Sequence, residues 1–234
     1  MVPRVQPARA PPPEFVYSGR IELLVWSIPL LAIMFLGGVI WIGSHRLDPY
    51  RPLASSARPL QVQVVSLDWK WLFIYPDEGI ASVNRLVVPT GVPVHFRLTS
   101  ATVMNSFFVP RLGSMIATMN GMVTQLHLQA DQPGDYFGES TQFSGDGFSD
   151  MTFTVRAVPS DRYAQWVRDT QTNGDVLDRG AYEALSHKSM NLKPFTYRRV
   201  ESGLFDAVAS QTIPPGEGPH QGHGGVGVNP RPGG

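Results

Sequence analysis

Apolar positions run unbroken in one stretch of this chain and alternate with polar ones in several others. From Leu23 to Gly43, 21 residues pass without a charge, LLVWSIPLLAIMFLGGVIWIG. As an α-helix that run reaches about 31 Å at roughly 1.5 Å per residue, enough to cross the hydrocarbon of a bilayer. A secretory signal would have a shorter apolar region ending in a small-residue cleavage site, and Trp41 and Arg46 occupy that end here. The pattern therefore predicts a transmembrane helix over residues 21–45. Pro29 inside it frees a carbonyl that a neighbouring helix can re-satisfy, so a packed membrane partner is expected. Arg4, Arg9 and Arg20 precede the span and Arg46, Arg51 and Arg58 follow it, so charge bias assigns no orientation.

After a Pro-containing linker over residues 46–59 the period changes to two. In VPVHFRLTS, Val94, Phe96 and Leu98 face one way and His95, Arg97 and Thr99 the other; in TQLHLQA, Leu126 and Leu128 oppose Gln125, His127 and Gln129. In MTFTVRAV the inward set is Met151, Phe153 and Val155. Turn signals separate these strands at Pro76-Asp77-Glu78-Gly79, Pro89-Thr90-Gly91, Gln132-Pro133-Gly134-Asp135 and Ser144-Gly145-Asp146-Gly147. Short strands at this spacing over residues 60–159 predict a mainly β domain, a Greek-key sandwich or barrel. From Ser160 the spacing turns helical, with Tyr163, Trp166 and Val167 behind a Ser160-Asp161 cap signal and further helical stretches at Ala181–Leu185 and Gly203–Ala209. Residues 160–210 thus read as a small helical appendage whose aromatics pack on the sandwich. The Gly/Pro/His-rich stretch over residues 211–234 has almost no hydrophobic bulk and is expected to be disordered.

Composition narrows the chemistry. Of 234 residues, 42% are apolar and 16% charged with zero net charge; a nucleic-acid surface would need a basic excess, so no nucleic-acid partner is expected. The chain has no cysteine, which excludes a disulfide, a Cys-rich zinc site and a His-His-Cys copper site together. The six histidines, His45, His95, His127, His187, His220 and His223, form no evident ligand set. His95 and His127 fall on the polar faces of strands as solvated or hydrogen-bonded imidazoles. His220 and His223 in a flexible tail lack the pre-organisation a metal site needs. No Ser-His-Asp arrangement is evident.

Three segments, DWKWLFIYPDEGIASVN, VMNSFFVPRLGSMI and PGDYFGESTQFSGDGFSDM, resemble subunit II of the haem-copper terminal oxidases. Among these they are most similar to the cytochrome bo-type ubiquinol oxidases, over roughly residues 16–206. The resemblance implies a cupredoxin-like fold. Copper-bearing members hold a binuclear copper-A centre with one His and a Cys-x-Glu-x-Cys-x-x-x-His-x-x-Met run. Laid onto this chain, those positions fall on Asn105 and on Ser140, Gln142, Ser144, Phe148 and Met151. Copper electron-transfer sites need soft thiolates with imidazoles beside them, so one remaining thioether makes no site. No catalytic, cofactor-binding or metal-ligating residue is expected on the chain. The resemblance also implies haems and copper in subunit I, which takes electrons directly from quinol, with subunit I, smaller subunits and membrane lipid as partners.

The family places the globular domain on the periplasmic side of the bacterial inner membrane, which makes residues 1–20 a cytoplasmic segment. Its members often carry two spans, and the similarity here begins only near Val16. A missing first span is therefore expected, through a mis-assigned start at Met1, a lost signal and helix, or a replacement leader. A family glutamate just before the second span lies near the mouth of a proton path into subunit I. Glu22 in Arg20-Ile21-Glu22-Leu23-Leu24-Val25-Trp26 matches it, as a proton-uptake group or simply an interfacial carboxylate. Trp69 and Trp71 resemble the segment where copper-bearing members dock cytochrome c; without copper they read as packing against the membrane-embedded partner. Two readings stand beside a proton-pumping ubiquinol oxidase subunit: a menaquinol oxidase subunit II, and a membrane-anchored cupredoxin-like binding module without an oxidase partner.

Overall fold

The computed structural model describes residues 18–53, 55, 57–216 and 218. Nearly all of the expected N-terminal segment 1–20, together with His220, His223 and most of the expected tail, lies outside the described residues. The chain divides into two units, one up to Arg46 and one from Leu47 onward. The first contains helix α1, Gly19–Arg46, slightly longer than the expected 21–45. None of its 28 residues is buried, and it is long and apolar enough to cross a membrane. Glu22 stands in its first turn and His45 and Arg46 in its last, the charge order that complements a helix dipole. Pro29 lies inside α1 and cannot donate to the Val25 carbonyl.

The second unit is a β-sandwich. Its first sheet contains β1 (Leu60–Leu67), β2 (Lys70–Tyr75) and β3 (Ile80–Val83), and its second begins with β4 (Arg85–Pro89). There follow β5 (Val94–Ser100), β6 (Asn105–Phe108), β7 (Ile116–Thr118), β8 (Thr124–Leu128), β9 (Gly134–Ser140) and β10 (Thr152–Val158). Beyond these come helix α2 (Ser160–Thr172), β11 (Asp175–Leu177), helix α3 (Arg179–Ser186), β12 (Phe195–Val200) and helix α4 (Leu204–Ala209). One sheet has seven strands in the order β11-β12-β3-β2-β1-β5-β8, the other five in the order β4-β10-β9-β6-β7. Most pairs are antiparallel, but β1 runs parallel to β5, β4 parallel to β10 and β11 parallel to β12. This is the expected mainly β architecture, a two-sheet sandwich that follows an apolar N-terminal helix in the chain.

The alternating strands place their apolar sets inward as expected: Val94, Phe96, Leu98, Leu126, Leu128, Met151, Phe153 and Val155 are all buried. Strand β2, KWLFIY, is buried at every position. Its Trp71, Phe73 and Tyr75 enter the core between the sheets, while Leu72 and Ile74 enter a second core with Tyr182, Leu185, Leu204 and Phe205 from the appendage. A strand covered on both faces has no polar side, so period-two alternation disappears.

The appendage differs from its sequence reading in two ways. It carries the three expected helices, with Trp166 of α2 edge-on to Tyr75 at 5.3 Å, but it also adds two strands. Strand β12 pairs with β3 through Tyr197↔Ala81 and carries β11 beside it. Strand β11 has only three residues, and β12, FTYRRV, buries Tyr197 alone, so neither carries an apolar alternation and pairing creates them. The second difference is at residue 211, where disorder was expected to begin. Ile213 is instead packed in the second core, and the Gly216 amide donates to the Ala101 carbonyl at 3.1 Å.

The core between the sheets centres on Phe153, stacked on Phe107 at 4.9 Å and flanked by Trp71 and Phe73, each at 5.4 Å. Gly138 leaves the space for that ring, since a Cβ there would stand 2.3 Å from Phe153 Cε2 and Cζ. Gly138→Ala should therefore destabilise the domain by about 1–3 kcal/mol, as overpacking does. A denaturant midpoint unchanged from the native chain would show that the ring moves aside freely.

Candidate functional site

The antiparallel pairing of β6 and β9, with Phe107 opposite Ser140, brings the start of one strand to the end of the other. Asn105 opens β6 and Ser140 closes β9, both buried. The Ser140 hydroxyl lies 3.4 Å from Asn105 Oδ1 and 3.4 Å from the Gln142 carbonyl, and it accepts from the Ser106 amide at 3.3 Å. The Ser140 amide donates to the Met151 carbonyl at 3.2 Å. Ser144 is buried with its hydroxyl 4.0 Å from Met151 Sδ. Gln142 contributes its main chain, its residue being exposed. Phe148 opens a short 3-10 turn, Phe148–Asp150, and meets Phe143 edge-on at 5.6 Å. Positions up to 46 residues apart in the chain thus share one corner of the sandwich.

The loop between Ser140 and Met151 is held from outside by its neighbours. Trp69 Nε1 donates to the Ser144 carbonyl at 3.0 Å, and Trp71 Nε1 approaches the Met151 carbonyl at 3.5 Å. The Trp69 ring lies flush on Gly147, where a Cβ would come within 2.3 Å of it. Asn191 Nδ2 donates to Asp150 Oδ2 at 3.2 Å. Trp69 itself sits at φ 64°, a left-handed conformation costing a bulky residue roughly 1–2 kcal/mol. Burial of the ring and its indole bond to the loop offset that strain. Both tryptophans are buried inside the domain. This corrects the sequence reading, which had them packing against a membrane-embedded partner.

The donors gathered at this corner do not fit a copper-A centre. Ser140 and Ser144 offer hard, neutral hydroxyls, the Ser140 hydroxyl being engaged with Asn105 and Gln142; Asn105 offers an amide and Phe148 no donor at all. Only the Met151 thioether is soft, and one thioether does not hold copper. Among the described residues no three His, Asp or Glu side chains cluster as metal ligands.

The remaining candidates lie elsewhere. Glu22 is on α1, in the other unit. His95 and His127 face each other across β5 and β8 and stack at 4.6 Å. His95 is flanked by Gln61 and Gln125, while His127 Nδ1 lies 3.3 Å from the Pro49 carbonyl of the linker. His45 Nδ1 is 2.9 Å from the Trp41 carbonyl, and the His187 carbonyl accepts from Lys70.

Lys70 is the residue that sequence reasoning missed. It opens β2 on the same face as Leu72 and Ile74, and the residue is 1% exposed. Its ammonium donates to the His187 carbonyl at 2.6 Å and to the Ser189 hydroxyl at 2.7 Å, bolting the loop after α3 to the sheet. A lysine at an apolar-face position was the available signal. Burial lowers its pKa from 10.5 to about 8, with the Asp68 carboxylate opposing the shift. Between about pH 8 and 10.5 the unfolded chain keeps a proton that the folded chain has released, so stability rises with pH across that window; below it both forms are protonated and the cost of burying the cation is fully present. Lys70→Met should abolish the rise between about pH 8 and pH 10 in denaturant midpoints, and an equal rise in the variant would assign it to another group.

Comparison with known proteins follows this geometry. Residues 78–158 match the family model described as cytochrome C oxidase subunit II, periplasmic domain. Over 201 residues the chain is 48% identical to the ubiquinol oxidase subunit 2 of Acetobacter aceti, covering 85% of this chain and 65% of that protein. It is 48% identical over 204 residues to the cytochrome bo(3) ubiquinol oxidase subunit 2 of Buchnera aphidicola subsp. Baizongia pistaciae, covering 86% of this chain and 71% of that one. Among solved structures, the periplasmic domain of subunit II of cytochrome oxidase from Bradyrhizobium japonicum aligns with a TM-score of 0.46 at 23% identity, covering 49% of this chain and 96% of that one. The chain spans about two thirds of the length of the relatives it matches.

Proposed function

The chain belongs to the ubiquinol oxidase subunit 2 family, and on that premise we propose that it is the membrane-anchored, copper-free second subunit of a quinol-oxidising terminal oxidase. The observation that carries this reading is the corner built by Asn105, Ser140, Ser144 and Met151. The chain folds so that these positions meet, yet supplies hydroxyls and an amide where thiolates and imidazoles would be needed. An electron from a soluble donor such as reduced cytochrome c finds no acceptor on such a surface. Quinol, dissolved in the membrane, can deliver its electrons directly to a partner subunit that carries the haems and copper, where oxygen is reduced to water and protons are pumped. This chain then supports assembly of the complex, with its domain on the periplasmic side and α1 among lipid and the helices of the partner subunits.

Glu22, in the first turn of α1, is the residue we assign to proton uptake toward the partner subunit. A carboxylate beside an apolar run is costly unless it is exposed or paired, and a proton path gives it a reason to stay. Glu22→Ala should slow quinol oxidation by the complex while leaving its haem content unchanged. Unaltered turnover would reduce Glu22 to an interfacial charge.

The experiment that tests the whole reading is oxygen uptake by the complex purified through a tag on this chain, driven in parallel by ubiquinol, menaquinol and reduced cytochrome c. Uptake with ubiquinol and not with cytochrome c is expected. A preference for menaquinol would change the quinone, and uptake with cytochrome c would overturn the copper-free route. Absence of haem from the purified material would leave a membrane-anchored binding module.

A further inference from the structure

We propose that His95 and His127 form a binding site for a divalent metal ion of the zinc and copper(II) class at the edge of the seven-stranded sheet. Strand β5 lies between β1 and β8, and the register puts Gln61, His95 and His127 in one row across the three strands. Their side chains lie on the face away from the core between the sheets, because the alternating neighbours Val62, Val94, Phe96, Leu126 and Leu128 point into that core. The two imidazoles meet face to face, with centroids 4.6 Å apart and planes within 12°. All three residues of the row are half-buried, so water and ions reach it from outside.

The hydrogen bonds around the rings set which nitrogens carry protons. A carbonyl oxygen only accepts, so His127 Nδ1, 3.3 Å from the Pro49 carbonyl, is the donor of that pair. Gln61 Nε2 donates to the Pro59 carbonyl at 3.3 Å, which turns its Oε1 toward His95 Nδ1 at 2.7 Å. His95 Nδ1 therefore donates as well. In a neutral imidazole the other nitrogen keeps its lone pair, so both Nε2 atoms are left to accept. A ring N–H bonded to a carbonyl, with the second nitrogen directed at the ion, is how metal-binding histidines are held. His95 Nε2 faces Gln125 Oε1 at 3.1 Å, and a cation is what two acceptors can share.

Two imidazoles and an amide oxygen suit zinc or copper(II); Cu(I) takes sulfur donors, and magnesium and calcium take carboxylates and water. Directly opposed residues on antiparallel strands have Cβ atoms about 4.5–5.5 Å apart. From there a tilt of the stacked rings toward each other brings both Nε2 atoms to the bond length of about 2.0–2.1 Å that one zinc ion requires. Arg97, two residues along β5 on the same face, would oppose a second cation, but its guanidinium is engaged by Asp206 at 3.1 Å. Burial lowers the His95 pKa, with His127 and Arg97 adding to the shift and Gln125 opposing it, so at neutral pH this ring is in the neutral form that ligates. The ligands are none of the six residues at the corner between β6 and β9. Because His127 also holds the Pro49 carbonyl, an ion on the pair steadies the linker against the sheet.

The test uses the full chain in detergent with 15N-labelled histidine rings, titrated with Zn(II) and, in a separate sample, with Mg(II). Zn(II) should move the Nε2 signals of His95 and His127 together while their Nδ1 signals stay protonated, and Mg(II) should move neither. His127→Ala should raise the Zn(II) concentration needed to shift His95 by at least about 10-fold, and Gln61→Leu, which removes the acceptor that orients His95, by about 10-fold. Circular dichroism checks the fold of each variant. Ring signals that respond to pH but not to Zn(II) would make the pair a proton site only and overturn the proposal, as would Zn(II) shifts confined to other histidines. An undiminished His95 response in His127→Ala would show that the two rings share no ion, and would overturn it equally.

Discussion

Strand β2 is the constraint on which the rest of the soluble unit depends. It is apolar on both faces, so it cannot form the wall of a simple two-layer sandwich with one side in water. Trp71, Phe73 and Tyr75 close the core between the sheets, and Leu72 and Ile74 need a cover of their own. Residues 175–213 supply it, through Leu177, Tyr182, Leu185, Leu204, Phe205 and Ile213. The appendage is therefore a third layer without which the seven-stranded sheet would expose a hydrophobic face. Arg97 ties α4 to β5 at the rim of that layer, bonding to Asp206 at 3.1 Å and lying over the Phe205 ring at 5.0 Å.

The hairpin that starts β2 also organises the candidate site. Asp68 and Trp69 form its turn, and three consecutive residues then serve three contacts. Trp69 covers the loop between Ser140 and Met151, Lys70 fastens the loop after α3, and Trp71 enters the core. Asp68, accepting from the Thr102 hydroxyl at 2.6 Å, links the same turn to the segment that leads into β6. In a metal protein the ligand loop is stapled by its ion, and binding energy is folding energy. Here hydrogen bonds and an indole lid hold the corresponding loop, each worth about 0.5–1.5 kcal/mol net. Several such bonds, with the burial of Trp69, are enough to hold that loop in place.

The anchor follows different physics. Helix α1 has no buried face and satisfies its backbone internally, as a spanning helix must. Pro29 breaks that rule at the Val25 carbonyl. A lipid-facing helix with an unpaired carbonyl calls for a neighbour, and the proposed membrane partner would provide it.

Much of this was legible in the order of residues alone. An uncharged apolar run long enough to span a bilayer, and strands alternating at 94–100, 124–130 and 151–158, are local patterns set by the geometry of one helix or one strand. The lack of thiolate donors was equally legible, because the absence of cysteine is a chemical fact that no fold can reverse. What required the tertiary structure was everything that depends on distant partners. The double burial of β2, strands β11 and β12, the packed Ile213, the stacked His95 and His127, and the buried Lys70 all arise from contacts between segments tens of residues apart. Periodicity records only which side of its own element a residue occupies; which surface comes to cover that side is decided when the layers pack.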